Sequence, residues 1–226
     1  MSKPVSIRPF IFATFATLIA GFVDAVGYTQ LGGLYVSFMS GNSTRLGIQI
    51  AGADWAHVAF TIGVIGSFIL GAFLGAVVCD AVGDWKLVAV LSTEVALFAL
   101  ATVLTLAGVG FLALLPIATA MGMQNNVHQV IAGADIGKSF VTGALVSCGQ
   151  ALARRMAGKE GPKEASLYAF SWVTFVSGAA LGAVMLHGVG LSPAVGGACL
   201  LLAALALTAY AFHDHIIQPF AAQGGD

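Results

Sequence analysis

Long runs of apolar residues dominate the chain and alternate with short clusters of glycine, serine and charge. Six runs are long enough to cross a bilayer as helices: Pro9 to Tyr28, Trp55 to Cys79, Trp85 to Leu106, Val109 to Val130, Ala165 to His187, and Leu191 to Phe212. A helical crossing takes about 20 residues, because the hydrocarbon core is about 30 Å thick and a helix rises about 1.5 Å per residue. Helices are expected because lipid offers the backbone no hydrogen bonds, so each segment must satisfy its own amides and carbonyls. Trp55 and Trp85 open their runs, where the amphipathic indole suits a membrane interface. The expected fold is all-α, a polytopic single transmembrane domain over residues 1–226.

Two further segments are shorter and more polar. Tyr35–Ala51 reads YVSFMSGNSTRLGIQIA, and Ser139–Ala153 reads SFVTGALVSCGQALA. Both are expected as broken or re-entrant helices rather than plain crossings.

The same order of elements occurs twice, over 9–107 and 109–213. Phe38-Met-Ser-Gly41 matches Phe140-Val-Thr-Gly143, with Gly47 matching Gly149. Upstream, Gly21-Phe-Val-Asp24 matches Gly122-Met-Gln-Asn125. Downstream, Gly71-Ala-Phe-Leu-Gly75-Ala-Val77 matches Gly178-Ala-Ala-Leu-Gly182-Ala-Val184. If the short segments do not cross, the two halves are inverted; if they cross, the halves are parallel. Lys3 and Arg8 precede the first run, and Arg154, Arg155, Lys159 and Lys163 form the most basic loop. The positive-inside rule puts both regions, and both termini, in the cytoplasm on either arrangement. The shortness and polarity of the two segments favour inverted repeats. The Gly-x-x-x-Gly pairs allow close helix approach. They are expected to meet each other across the pseudo-symmetry axis, or to form a homodimer face.

Composition sharpens this picture. Hydrophobic residues make up 58% of the chain and charged residues 8%, against about 25% charged in soluble domains. Lipid is therefore the expected solvent and partner, in a bacterial inner membrane. A net charge of −1 gives no basic field for nucleic acid. The first run begins after Lys3 and Arg8, as a signal peptide would, but contains Asp24 and reads as a retained span. Cys79, Cys148 and Cys199 lie scattered in apolar stretches and suggest neither a disulfide framework nor a zinc site. His213-Asp-His215 has no third ligand in view and reads as a solvated tail. No metal or cofactor is expected. The sequence holds no HExxH and no GxSxG, so an enzyme is not expected.

The residues Ala20-Gly-Phe-Val-Asp-Ala-Val26, Phe38-Met-Ser-Gly-Asn-Ser-Thr-Arg-Leu-Gly47 and Gly122-Met-Gln-Asn125 resemble the YoaK-type family of bacterial membrane proteins. The resemblance covers nearly the whole chain. It implies a polytopic inner-membrane protein of a domain-of-unknown-function family, and little chemistry. Where that family commonly has Tyr-Val-Thr-Gly-Asn in its second half, this chain has Phe140-Val-Thr-Gly-Ala144. A role that needs an amide in both halves is not carried over.

Charges inside membrane segments cost about 2.5–3.5 kcal/mol each on insertion scales. Asp24, Arg45 and Glu94 are the three that stand out. The second half has Asn125 and Ser147 in place of Asp24 and Arg45, so both charges are absent together. That pattern predicts an Asp24–Arg45 pair, either tying the short segment to the first helix or flanking a substrate path. Arg45 snorkelling to an interface is the third reading.

Ser40, Gly41, Asn42 and Thr44 suit the start of a half-helix, through backbone freedom at glycine and side-chain capping. Such a terminus favours an anion; a self-capped polar turn is the plainer alternative. Thr142 and Gly143 supply the second copy. Gln124, Asn125, Asn126 and His128 end the fourth long run, as substrate contacts or as interhelical hydrogen-bonding groups. Glu94 is the proton-coupling candidate, with a plain interhelical hydrogen bond as the alternative. The expected function is a transporter or permease for a small solute or ion, with an accessory or interaction membrane protein as the other reading. The substrate set is Asp24, Ser40, Gly41, Asn42, Thr44, Arg45, Gln124, Asn125, Thr142 and Gly143.

Overall fold

The computed structural model describes residues 7–132, 140–158 and 162–213. Among these, all regular structure is helical: α1 (Ile7–Gln30), α2 (Met39–Ala51), α3 (Trp55–Val82), a 3-10 turn (Gly83–Trp85), α4 (Lys86–Leu106), α5 (Gly110–Ala132), α6 (Phe140–Met156), α7 (Pro162–Val189) and α8 (Leu191–Ala211). Three stretches are long and apolar enough to cross a membrane: Trp55–Leu106, which contains α3 and α4, then Ala165–Val189 and Leu191–Ala211. Lys3, Ser139, Lys159 and His215, and the side chains of Arg8, His128 and Lys163, lie outside the described residues.

The distribution of exposure is that of a protein in lipid. Ile62, Ile69, Phe73 and Val77 of α3, and Val173, Val176 and Val184 of α7, face outward. Asp24, Asn42, Glu94 and Gln124 are buried. Water as solvent would reverse that preference. The deepest helices are α1 and α5, represented in the core by Ile19, Phe22, Val26, Ile117 and Met121. Their C-terminal turns carry the polar residues Asp24, Gln124, Asn125 and Asn126.

Glycines let backbones touch at two helix pairs. A Cβ on Gly71 would collide with the Thr119 carbonyl, and one on Gly122 with the Phe68 carbonyl, so α3 lies against α5. A Cβ on Gly178 would collide with the Leu18 carbonyl, and one on Gly21 with the Phe175 carbonyl, so α1 lies against α7. Gly75 approaches Met123 and Gly182 approaches Phe22, so residue numbers rise together and each pair is parallel. This corrects the expectation for the two Gly-x-x-x-Gly motifs. They neither meet each other nor form a homodimer face, because each receives a helix of the other half of the chain.

The remaining long pair, α4 and α8, runs antiparallel. Trp85 stacks on His213 at 3.7 Å between ring centroids. Further along, the Cys199 thiol donates to the Val95 carbonyl at 3.7 Å. Further still, a Cβ on Gly196 would stand 3.6 Å from Thr102 Cγ2. Tight turns reverse the chain on either side of this pair. Gly108 (φ 79°) follows α4 and Gly190 (φ 86°) follows α7, both in a backbone region that favours glycine.

The short helices lie on the flanks. The 13 residues of α2 rise about 20 Å, short of the bilayer core. α2 packs on α3, fixed by a buried hydrogen bond in which Thr61 Oγ1 donates to Gln49 Oε1 at 2.8 Å. α6 packs on α7. Each is a single continuous helix. The break expected inside the first short segment lies instead before α2, in the connection Leu31–Phe38.

Candidate functional site

The connection between α1 and α2 is held from three sides. Gln30 ends α1 six residues after Asp24, about 9 Å further along the axis. The connection folds back along that length. The Asp24 carboxylate then accepts from Val36 N at 2.9 Å and Ser37 N at 2.7 Å through Oδ1, and from Ser37 Oγ at 2.6 Å through Oδ2. Val36 and Ser37 immediately precede Phe38, the N-cap of α2. Asp24 thereby fixes the backbone that leads into α2.

From the other side, Asn42 closes a ring with Tyr35. Its Nδ2 donates to the Tyr35 carbonyl at 2.7 Å and its Oδ1 accepts from Tyr35 N at 2.9 Å. Arg45 reaches further back, where Nη1 donates to the Gly33 carbonyl at 3.3 Å. Gly33 has φ 92°, and a Cβ there would overlap the guanidinium. Tyr28 packs tilted on Tyr35 and Tyr35 meets Phe38 edge-on, with ring centroids 5.0 Å and 5.3 Å apart.

Two expectations change here. Asp24 and Arg45 do not pair with each other. They bind different stretches of one connection, Asp24 at Val36 and Ser37 and Arg45 at Gly33. The polar run at the start of α2 also does not cap it. Phe38 is the N-cap and makes no side-chain capping bond, while Ser43 Oγ and Thr44 Oγ1 donate back to the Met39 and Ser40 carbonyls. Gly41 has a packing role, since a Cβ would lie 2.6 Å from Phe38 Cδ1 and 3.0 Å from Tyr35 Cε2.

The other expected site residues do not join this cluster. Ser40 and Thr44 are exposed on α2. Gln124 is buried in α5. Asn125 Nδ2 donates to the Met121 carbonyl within its own helix at 2.9 Å. Asn126 Nδ2 crosses to the Ala72 carbonyl of α3 at 3.2 Å, beside Gly75. Thr142 is exposed and Gly143 half-buried in the first turn of α6. Glu94 is fully buried on α4, and neither carboxyl oxygen has a hydrogen-bond partner among the described residues. The amides of Val36 and Ser37, and the Gln49–Thr61 bond, escape a reading by residue type. Main-chain donors have no residue signature, and Gln49 sits in an otherwise apolar run.

Residues 12–208 match the family described as a protein of unknown function, DUF1275. The chain belongs to the DUF1275 family. It is also 32% identical over 197 residues to a UPF0700 transmembrane protein of Rhizobium meliloti (strain 1021), covering 87% of this chain and 83% of that one. No solved structure matches it. Family membership and the outward apolar faces together make the chain a membrane protein, consistent with the resemblance drawn from its motifs.

Proposed function

We propose that the chain is an inner-membrane transporter or permease for a small solute or ion, formed as one transmembrane domain from two inverted halves, 9–107 and 109–213. The observation that carries this reading is the antiparallel course of α4 and α8. Tight turns at Gly108 and Gly190 reverse α4 into α5 and α7 into α8. α7 is parallel to α1. Followed around the bundle, these directions oppose α1 to α5. Two parallel repeats of four crossings would instead align α4 with α8. The glycine contacts support the same relation, since Gly71 on Thr119 and Gly178 on Leu18 join matching positions of the two halves. Six crossings then put both termini on one side, which the basic residues favour as the cytoplasm.

Inverted repeats around short helices are the architecture in which transporters bind substrate near the midplane. In the first half the Asp24 carboxylate already occupies the amides of the connection that leads into α2. The second half has Asn125 at that place and Thr142 and Gly143 in the first turn of α6. Among the described residues a neutral amide stands there in place of the carboxylate, which suits this half to an anion from outside.

A thermal-shift screen of the purified protein against small anions, followed by flux assays in liposomes, tests this. A stabilising anion that also crosses protein-bearing liposomes supports the proposal. Absence of flux for every stabilising solute removes it. The second reading is an accessory or interaction membrane protein. It is favoured by the fact that Asp24, Asn42 and Arg45 all bind the chain's own backbone.

A further inference from the structure

Glu94 lies one residue before Val95, whose carbonyl accepts the Cys199 thiol where α4 crosses α8. The carboxyl has no exposed surface and no hydrogen-bond partner among the described residues. It belongs to the buried stripe Leu87, Val90, Leu91, Glu94, Phe98, Ala101 and Thr105. The corresponding stripe of α8 runs through Ala194, Val195, Ala198, Leu202, Leu205 and Ala209. From Val90 to Thr105 the α4 spacing recurs in α8, where Ala206 is buried in addition, and Ala198 stands where α4 has Glu94. The packing thus accepts a small apolar residue at this position, and filling space does not account for an acid.

The elements packed on α4 are α3, α5 and α8 with the 3-10 turn. Their titratable groups are His57, Cys79 and Asp80 on α3, Asp84 in the turn, and Cys199 and Tyr210 on α8, with Lys86 on α4 itself. The α5 sequence from Gly110 to Asn126 has none. None of these groups bonds to Glu94. An ionised carboxylate here would lack both a cation and a donor, so the neutral acid is the less costly form to bury.

We propose that Glu94 is a reversible proton-binding site at the α4–α8 crossing. As the coupling group of a transporter it rests on the reading above; as a proton site it can be measured without transport.

The test is infrared difference spectroscopy of the purified protein in lipid, stepped from neutral to alkaline pH. The acid carbonyl stretch that shifts on isotope labelling of glutamate should disappear reversibly as pH rises, and Glu94→Gln should lack that band. If Glu94→Gln does not fold, the band should shift on isotope-labelled glutamate in a chain carrying Glu160→Gln and Glu164→Gln. No acid carbonyl at any pH, or a band unchanged wherever the protein stays folded, overturns the proposal. A titrating band in a protein that moves no solute leaves the proton site standing and removes the transport reading instead.

Discussion

Asn42 binds both main-chain groups of Tyr35, with the Asn42 amide donating at 2.7 Å and its carbonyl oxygen accepting at 2.9 Å. Asn42 has no exposed surface. A seven-residue separation thereby becomes a closed polar ring at the entrance to α2. Asn42→Ala leaves two backbone groups without partners, at about 1–3 kcal/mol for each that stays buried. The variant should unfold in detergent at a clearly lower temperature than the parent. A melting temperature equal to the parent's would show that the ring contributes nothing.

Asp24 and Ser37 should be energetically coupled, while Asp24 and Arg45 should not. A hydrogen bond to a charged group is worth about 1.5–3 kcal/mol. A double-mutant cycle of Asp24→Asn with Ser37→Ala should return a coupling of that order. The cycle of Asp24→Asn with Arg45→Gln should be additive within about 0.5 kcal/mol. A large coupling in the second cycle would restore the direct pair.

Glycine positions should divide sharply. Gly71→Ala and Gly178→Ala both drive a Cβ into a carbonyl of the neighbouring helix, and overpacking of this kind costs about 1–3 kcal/mol. Gly63→Ala and Gly66→Ala meet nothing within 4 Å and should leave stability unchanged or slightly raised. Thermal unfolding of the four variants, side by side, checks this.

The antiparallel α4–α8 crossing can be read by crosslinking. With Cys79, Cys148 and Cys199 replaced by Ala, Thr102→Cys with Gly196→Cys should oxidise to an intramolecular disulfide. Gly196 lies close enough, with a virtual Cβ 3.6 Å from the threonine methyl. A pair made near opposite ends of the two helices, Lys86→Cys with Leu191→Cys, should remain reduced. Mobility on non-reducing gels separates the outcomes.

Asp54 caps α3 by accepting from His57 N at 3.4 Å and meets His57 Nδ1 at 2.7 Å. The side-chain hydrogen bond to His57 holds the Asp54 carboxyl below its ordinary value of 3.8. A lowered carboxyl stabilises the fold at pH above that ordinary value and loses the contribution as pH falls through the folded one. Asp54→Asn, which can still cap the helix, should flatten the acid side of the stability curve. Unfolding followed across the acid range in both proteins measures the difference.

The long helices were legible because their ends carry local signals. The expected run from Trp55 begins where α3 begins, and the expected run to Leu106 ends where α4 ends. Gly108 and Gly190 mark the reversals. Partner choice was not legible. The joint absence of Asp24 and Arg45 from the second half looks the same whether two side chains bind each other or serve one connection. The amides of Val36 and Ser37 decide between those cases, and an amide leaves no mark in the residue pattern. The Gly-x-x-x-Gly motifs likewise announce a close approach without naming the helix that approaches.

The glycine contacts also bear on how the chain is made. α1 finds its closest neighbour in α7, and α3 finds its own in α5. A ribosome that has released only the first half into the membrane has delivered two helices whose grooves are still empty. Neither half contains the surfaces that complete it. Assembly must wait for Gly178 and Gly182 to emerge, and a chain truncated before α7 should be cleared as an orphan rather than persist as a smaller working unit.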